Sequence, residues 1–258
     1  MPTRSDVERV LLPLGTAALV VLLWALAVRL SHTNVFPSPL KVLAGLKELA
    51  GRGVLWRYVG DSLRRVASGY FLALVLGIPT GLALGWHPNL ASAFNPVIQM
   101  ARPISPLAWM PLAILWFGVS EAAPGFLIFL GAFFPIVVAA MNGVRSVPAM
   151  YLQAGRNFGL STPRLLARVV FPAALPQILV GLRIALGIAW IVVVAAEMIA
   201  VDSGLGYLII DSRNAGKRYD LVVAGMLLIG VIGLVLDTLA RRLERLRTVR
   251  WGFQGEAA

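Results

Sequence analysis

Long apolar stretches separated by short polar joints set the pattern of this chain. The first, residues 10–30, is about 21 residues long and reaches roughly 31 Å as a helix, enough to cross a hydrocarbon core. Residues 66–86, 96–118, 123–141, 177–200 and 221–239 form further runs of about 19–24 residues each. A tight turn at 119–124 joins the third run to the fourth. The pattern predicts an all-α integral membrane protein with about six transmembrane helices.

Between the first two runs, residues 36–65 read differently. Leu40, Leu43, Leu46 and Leu49, then Leu55, Val59 and Leu63, recur at helical spacing, interleaved with Lys41, Lys47, Arg52, Arg57, Arg64 and Arg65. This predicts one or two amphipathic helices at the membrane interface, with the bases reaching toward water. The organisation expected is a first segment and helix over 1–35, the interfacial segment over 36–65, a core over 66–240, and a basic tail over 241–258.

Two patterns within the runs bear on packing. Gly77, Gly81 and Gly85 fall on one helical stripe, which lets a second backbone approach closely, and Pro79 interrupts the same helix. The third run holds Pro96, Pro103, Pro106 and Pro111, so its backbone must be broken or kinked. Carbonyls freed at membrane depth need protein or water around them, which favours a helix lining a pathway.

Composition confirms lipid as the solvent: 59% of the 258 residues are hydrophobic, 14% are charged, and the mean hydropathy is +0.81. The formal charge of +11 does not point to nucleic acid, because no basic stretch is long or aromatic-interleaved. In a polytopic protein such an excess retains cytoplasmic loops and meets anionic headgroups. The absence of cysteine excludes disulfides, thiolate metal sites and cysteine nucleophiles. The first run is longer than a signal-peptide core and lacks a small-residue cleavage site, so it reads as a retained anchor.

Residues 145–172 form a polar island. Pro148 suits the first turn of a helix that stops at Gly159, a left-handed C-cap. Ser161-Thr162-Pro163 restarts a helix, with Thr162 capping and Pro163 at the first position. Leu165, Leu166, Val169 and Val170 form its apolar face until Pro172 and Pro176 lead into the next run. The expected result is helix, sharp elbow, helix, a form that can transmit a push.

Gln153, Ala154, Gly155, Gly159, Val169, Phe171 and Pro172 occupy the places of the E-A-A, three residues, G, nine residues, I-x-L-P pattern. The stretch therefore resembles the EAA loop of permease subunits of ATP-binding cassette importers. Gln replaces Glu, Gly the second Ala, Val the Ile and Phe the Leu, while the geometry-setting Gly159 and Pro172 are kept. Residues 106–118, 129–135, 181–187 and 204–206 are similar to signatures of the nitrate/sulfonate/bicarbonate (taurine-like) permeases. The resemblance covers roughly residues 36–240.

The resemblance implies a MetI-like core, a homodimer, two cytoplasmic ATPase subunits that bind ATP and Mg, and an extracytoplasmic binding protein. It implies a bacterial inner-membrane location with both termini cytoplasmic. The bases of 145–172, both termini and the tail outnumber those of 36–65, Arg213, Lys217 and Arg218 by a small margin, in the same sense. Gln153, Ala154, Gly155, Arg156, Asn157, Phe158, Gly159, Leu160 and Pro172 would then contact the ATPase. The cargo implied is a small anion, moved by alternating access.

Charged residues inside spans are functional candidates. Arg102, about six residues into the proline-rich run, either offers a cationic contact to an oxyanion or meets headgroups near the interface. Met100, Pro103 and Pro106 share that run and are path candidates with it. Glu197, near the far end of the fifth run, either gates the path or pairs with a base of the amphipathic segment. Arg183 and Asp237 snorkel or pair. His32 and His87 lack helical-spacing partners, so no metal site is expected. No Gly-rich phosphate loop is present, so the chain itself should neither bind nor hydrolyse ATP. An ion-gradient-driven secondary transporter is the rival reading, but no internal repeat or chain of intramembrane acids supports it. A membrane enzyme would need a nucleophile–base or metal constellation inside the spans, and none is visible.

Overall fold

The computed structural model describes residues 4–31 and 36–244. Expectations resting on His32, Arg245, Arg247 and Arg250 lie outside these residues. Among the described residues every regular element is helical, and five helices are long and apolar enough to cross a membrane: Leu11–Ser31, Val54–Trp86, Ala122–Arg145, Thr162–Ala200 and Tyr219–Glu244.

Helix α1 (Arg4–Ser31) leans on α2 (Pro39–Gly51) and leaves apolar side chains from Leu11 to Leu30 exposed, as a lipid-facing helix does. Ser38 caps α2 by accepting from the Lys41 amide, and Pro39 occupies its first turn. The face that α2 buries is Val42, Gly45 and Leu49, not the stripe through Leu40 and Leu43, which stay exposed. It packs on the start of α11 (Tyr219–Glu244), where Gly45 meets Leu221, and Arg218 donates to Glu48 at 2.7 Å. That hydrogen bond holds the Glu48 carboxyl below its ordinary value.

The interfacial segment is shorter than expected. Helix α3 (Val54–Trp86) runs unbroken for 33 residues, so Arg57, Arg64 and Arg65 stand on the first turns of a spanning helix. The third apolar run is not one helix. It divides into α4 (Pro88–Ala101), an irregular link over 102–105, a 3₁₀ turn (Pro106–Trp109) and α5 (Met110–Phe117). The prolines explain the break: Pro103 and Pro106 lack an amide donor, and Pro106 disfavours helical backbone in the residue before it. Ser105 is accordingly extended, with ψ 131°.

Helix α6 (Ala122–Arg145) is the axis of the fold, packed on one side by α3 and on the other by α9 (Phe171–Ala200). Its Leu127, Ile128, Ala132, Ile136 and Ala140 are wholly buried. The glycine stripe expected on α3 is the reason the two helices can approach. A Cβ at Gly81 would lie 2.5 Å from the Val137 carbonyl and 2.6 Å from the Ala140 Cβ; Gly77 and Gly85 are similarly crowded. Gly81→Val should therefore cost about 1–3 kcal/mol of stability through overpacking, seen as a lower melting temperature in detergent. Gly60→Ala, where nothing lies within 4 Å, is the control. Equal melting of both variants would remove the stripe from the packing account.

The fifth run begins earlier than 177. Helix α8 (Thr162–Leu165), a π turn (Leu166–Val170) and α9 form one helical rod, with Pro172 and Pro176 inside it. Pro172 cannot donate and its ring crowds the preceding turn. The wider π turn accommodates it, closing with the Phe171 amide on the Leu166 carbonyl. Helix α10 (Leu205–Gly216), not foreseen in the sequence, then precedes α11.

Candidate functional site

The break between α4 and α5 makes the cavity that matters most. Its volume is about 510 Å³, and its walls include Met100, Ala101, Arg102 and Ile104 on one side. Pro106 and Trp109, then Leu130, Gly131, Phe134 and Pro135 of α6 and Ile188 of α9, complete it. Gly131 and Phe134 lie near the midpoint of α6, so the cavity sits at mid-height of the spans. Arg102 is the charged residue among its walls, and it has no ion-pair partner among the described residues. Of the candidate path residues, Met100, Arg102 and Pro106 meet here. Pro103 lies in the same link but not in the cavity wall. A charged, unpaired, exposed guanidinium at this height is a costly arrangement with a ready anion-binding use.

Glu197 is elsewhere, and its place corrects the path reading. It is wholly buried and accepts three hydrogen bonds: from Arg65 Nη1 at 2.8 Å, from Ser62 Oγ at 2.8 Å, and from the Gly206 amide at 3.0 Å. Pairing with a base of the 36–65 stretch is thus the alternative realised, through Arg65, which is only 2% exposed. Arg65 also donates to both oxygens of Glu121, at 2.7 and 2.6 Å, and to the carbonyl and hydroxyl of Ser203. The bidentate contact holds the Glu121 carboxyl below its ordinary value. The cluster ties α3, α9, the start of α6 and the start of α10 together at one end of the spans.

The motif 204–206 follows from this cluster. Gly204 has φ +100°, and a Cβ there would land on the Glu197 carboxylate; one at Gly206 would land on the Val194 carbonyl. The first amides of α10 then face Ser62 and Glu197, a favourable place for an anion. Arg65 itself carried no signal that set it apart from the neighbouring bases. Only Glu197, an acid in an apolar run, pointed to a hidden partner.

At the other end of the spans stands the elbow. Helix α7 (Ala149–Asn157) follows Pro148, and Gly159 has φ +72°, as its C-cap position requires. The Leu160 amide donates to the Gly155 carbonyl at 3.1 Å and the Gly159 amide to Arg156 at 2.9 Å, the paired bonds of a Schellman motif. Leu165, 2% exposed, presses on Gly155 from α8. Ser161 precedes the restart and Thr162 is its first residue, one position earlier than expected. Gln153, Ala154, Arg156, Asn157 and Phe158 remain exposed, Phe158 at 87%, while Leu160 is half-buried. Pro172 sits in the first turn of α9, beyond the π turn, and is itself exposed. Arg183 pairs with Asp237 at 2.5 Å, as one of the two readings anticipated.

No group of three or more metal-ligating side chains occurs among the described residues. Comparison with known proteins matches residues 73–249 to the family described as binding-protein-dependent transport system inner membrane component. The taurine transport system permease protein TauC of Escherichia coli is 36% identical over 95% of this chain and 90% of its own length. The bicarbonate transport system permease protein CmpB of Synechococcus elongatus is 33% identical over 94% and 91%. In fold, the chain is similar to the MetNI methionine ABC transporter in inward-facing conformations. The TM-score is 0.66 at 18% identity, over 74% of this chain and 95% of that one. The chain with the divided third run and the capped elbow therefore belongs to the binding-protein-dependent transport system inner membrane components, as a multi-pass ABC transporter permease of the MetI type.

Proposed function

We propose that the chain is the translocation subunit of an ATP-driven importer for a small oxyanion. The observation that carries the cargo class is Arg102, an unpaired guanidinium in an otherwise apolar cavity at mid-height of the membrane. The relatives named for taurine and bicarbonate support the same class, because each solute carries an oxyanion group, a sulfonate in zwitterionic taurine and a carbonate in bicarbonate. Met100 and Pro106 complete the contact surface, and Pro103 shapes the link that carries Arg102.

The elbow gives the coupling. Gln153 to Leu160 present an exposed helix and turn on a rigid mount, the form needed to seat in a cytoplasmic ATPase subunit. Two such ATPases, holding ATP and Mg, would close and reopen beneath two copies of this permease. The copies would alternate access to a shared path, supplied by an extracytoplasmic binding protein. With the elbow in the cytoplasm both termini are there too, and the Arg65 cluster lies at the outer end. Residues 1–35 then serve as anchor, the segment around α2 as interfacial brace, α3 to α11 as core, and the residues beyond as tail. Neither catalysis nor a cofactor of its own is assigned to the chain.

Uptake by the complex reconstituted with its ATPases and binding protein tests the cargo assignment, with taurine and bicarbonate as probes. Arg102→Gln should lower uptake about tenfold, the worth of a charge-assisted hydrogen bond, with no change in complex yield. Arg102→Lys should retain part of it. Unchanged uptake kinetics in Arg102→Gln would take this residue out of the path.

A further inference from the structure

A second cavity, of about 580 Å³, lies at the elbow end of the spans. Leu82, Ala83 and Trp86 of α3 face Leu166, Ala167 and Phe171 of the rod across it. Apart from His87 and the Trp86 indole nitrogen its walls are apolar side chains, and an apolar slot of this size is stabilised by hydrocarbon filling it. Trp86 and Val170 also belong to the wall of a neighbouring pocket of about 390 Å³, so the two adjoin. That neighbour is about half polar and carries Arg145 and Arg156. Neither arginine has an ion-pair partner among the described residues.

We propose that slot and basic pocket together bind an anionic phospholipid, one acyl chain lying in the slot and the phosphodiester on Arg145 and Arg156. The occupant follows from the order of the surfaces. Hydrocarbon matches the slot, and Trp86 marks the height at which indoles favour the headgroup boundary. Planar guanidinium groups engage phosphate oxygens in pairs, and basic pockets between spans select anionic headgroups. A zwitterionic lipid would bring its own cation against two arginines. A soluble phosphate ester would leave the slot empty. The lipid would bridge α3 to the α8–π segment and so brace the elbow from the bilayer side. The binding itself does not depend on the transport reading, because it needs neither ATP nor cargo.

Arg156 also belongs to the proposed coupling face, so the test uses Arg145 and the slot. The purified full-length complex, stripped of lipid in neutral detergent, is titrated with phosphatidylglycerol, phosphatidylcholine and glycerol phosphate. Retention is read by native mass spectrometry and stability by thermal unfolding. Phosphatidylglycerol should be retained and raise the melting temperature; phosphatidylcholine should be retained less, and glycerol phosphate should have no effect. Arg145→Gln should weaken phosphatidylglycerol retention about fivefold and narrow the headgroup preference, with Arg156 left in place. Ala167→Trp, which fills the slot, should abolish retention of both lipids. Equal retention of the two lipids by the unaltered protein, or unchanged retention in Arg145→Gln, would overturn the site. So would a disulfide between Ala83→Cys and a cysteine placed on α1 of a second copy, since the chain has no cysteine of its own and the slot would then be filled by protein.

Discussion

Glu197→Leu is expected to cost about 3–5 kcal/mol and to remove most correctly folded protein from the membrane fraction. The substitution preserves volume approximately but deletes the acceptor of Arg65, Ser62 and the Gly206 amide at once. Arg65 is 2% exposed and cannot turn to water, so its charge stays buried with Glu121 and Ser203 as its remaining partners. Any material that survives purification should melt about 10 °C lower than the parent. The double variant Arg65→Met/Glu197→Leu should recover much of the loss, because it removes the stranded charge together with its partner. Parent-like yield and melting in the single Glu197→Leu variant would show that the cluster is not holding the helices together.

Gly159→Pro should leave the protein inserted yet reduce ATP-dependent uptake by about tenfold or more. Proline fixes φ near −65°, whereas this position needs +72°. It also deletes the amide that donates to Arg156, and it pushes Phe158, at φ −77° and ψ 8°, toward extended backbone. The cap opens, and α7 loses its angle to α8. Nothing lies within 4 Å of a side chain at Gly159, so steric damage to the core is not the cause. Gly159→Asn, which tolerates the left-handed region, should keep uptake and serves as the control. Arg156→Glu should also uncouple ATP hydrolysis from uptake by reversing a charge on the exposed face. Normal uptake in both Gly159→Pro and Arg156→Glu would end the coupling assignment.

The elbow and the glycine stripe were legible because their signals are local. A left-handed C-cap needs glycine, and a restart needs a capping residue and a proline; both sit within a few positions of Gly159. Gly77, Gly81 and Gly85 announce close approach through spacing alone. The divided third run was half legible: Pro103 and Pro106 required a break, but the pattern could not say that two short helices would replace the span. The Arg65 cluster was hidden for a different reason. Its members Ser62, Arg65, Glu121, Glu197 and Ser203 come from four separate stretches, and apart from Glu197 each alone reads as an ordinary polar residue. Helix α10 was missed because its residues 205–216 are too mixed in character to show a clear stripe.

The rod from Thr162 to Ala200 is 39 residues long, about 58 Å at 1.5 Å per residue. One end is the elbow, and the other carries Glu197 in its last turns. A stiff lever of that length amplifies small rotations: pivoting by about 5° at the ionic end displaces the elbow end by about 5 Å, one helical turn. In the proposed coupling, moving the elbow end by about one helical turn would therefore tilt the rod by only about 5° at the ionic end. The π turn before Pro172 interrupts the regular α-helical ladder of this lever, which makes it the natural place for the lever to give.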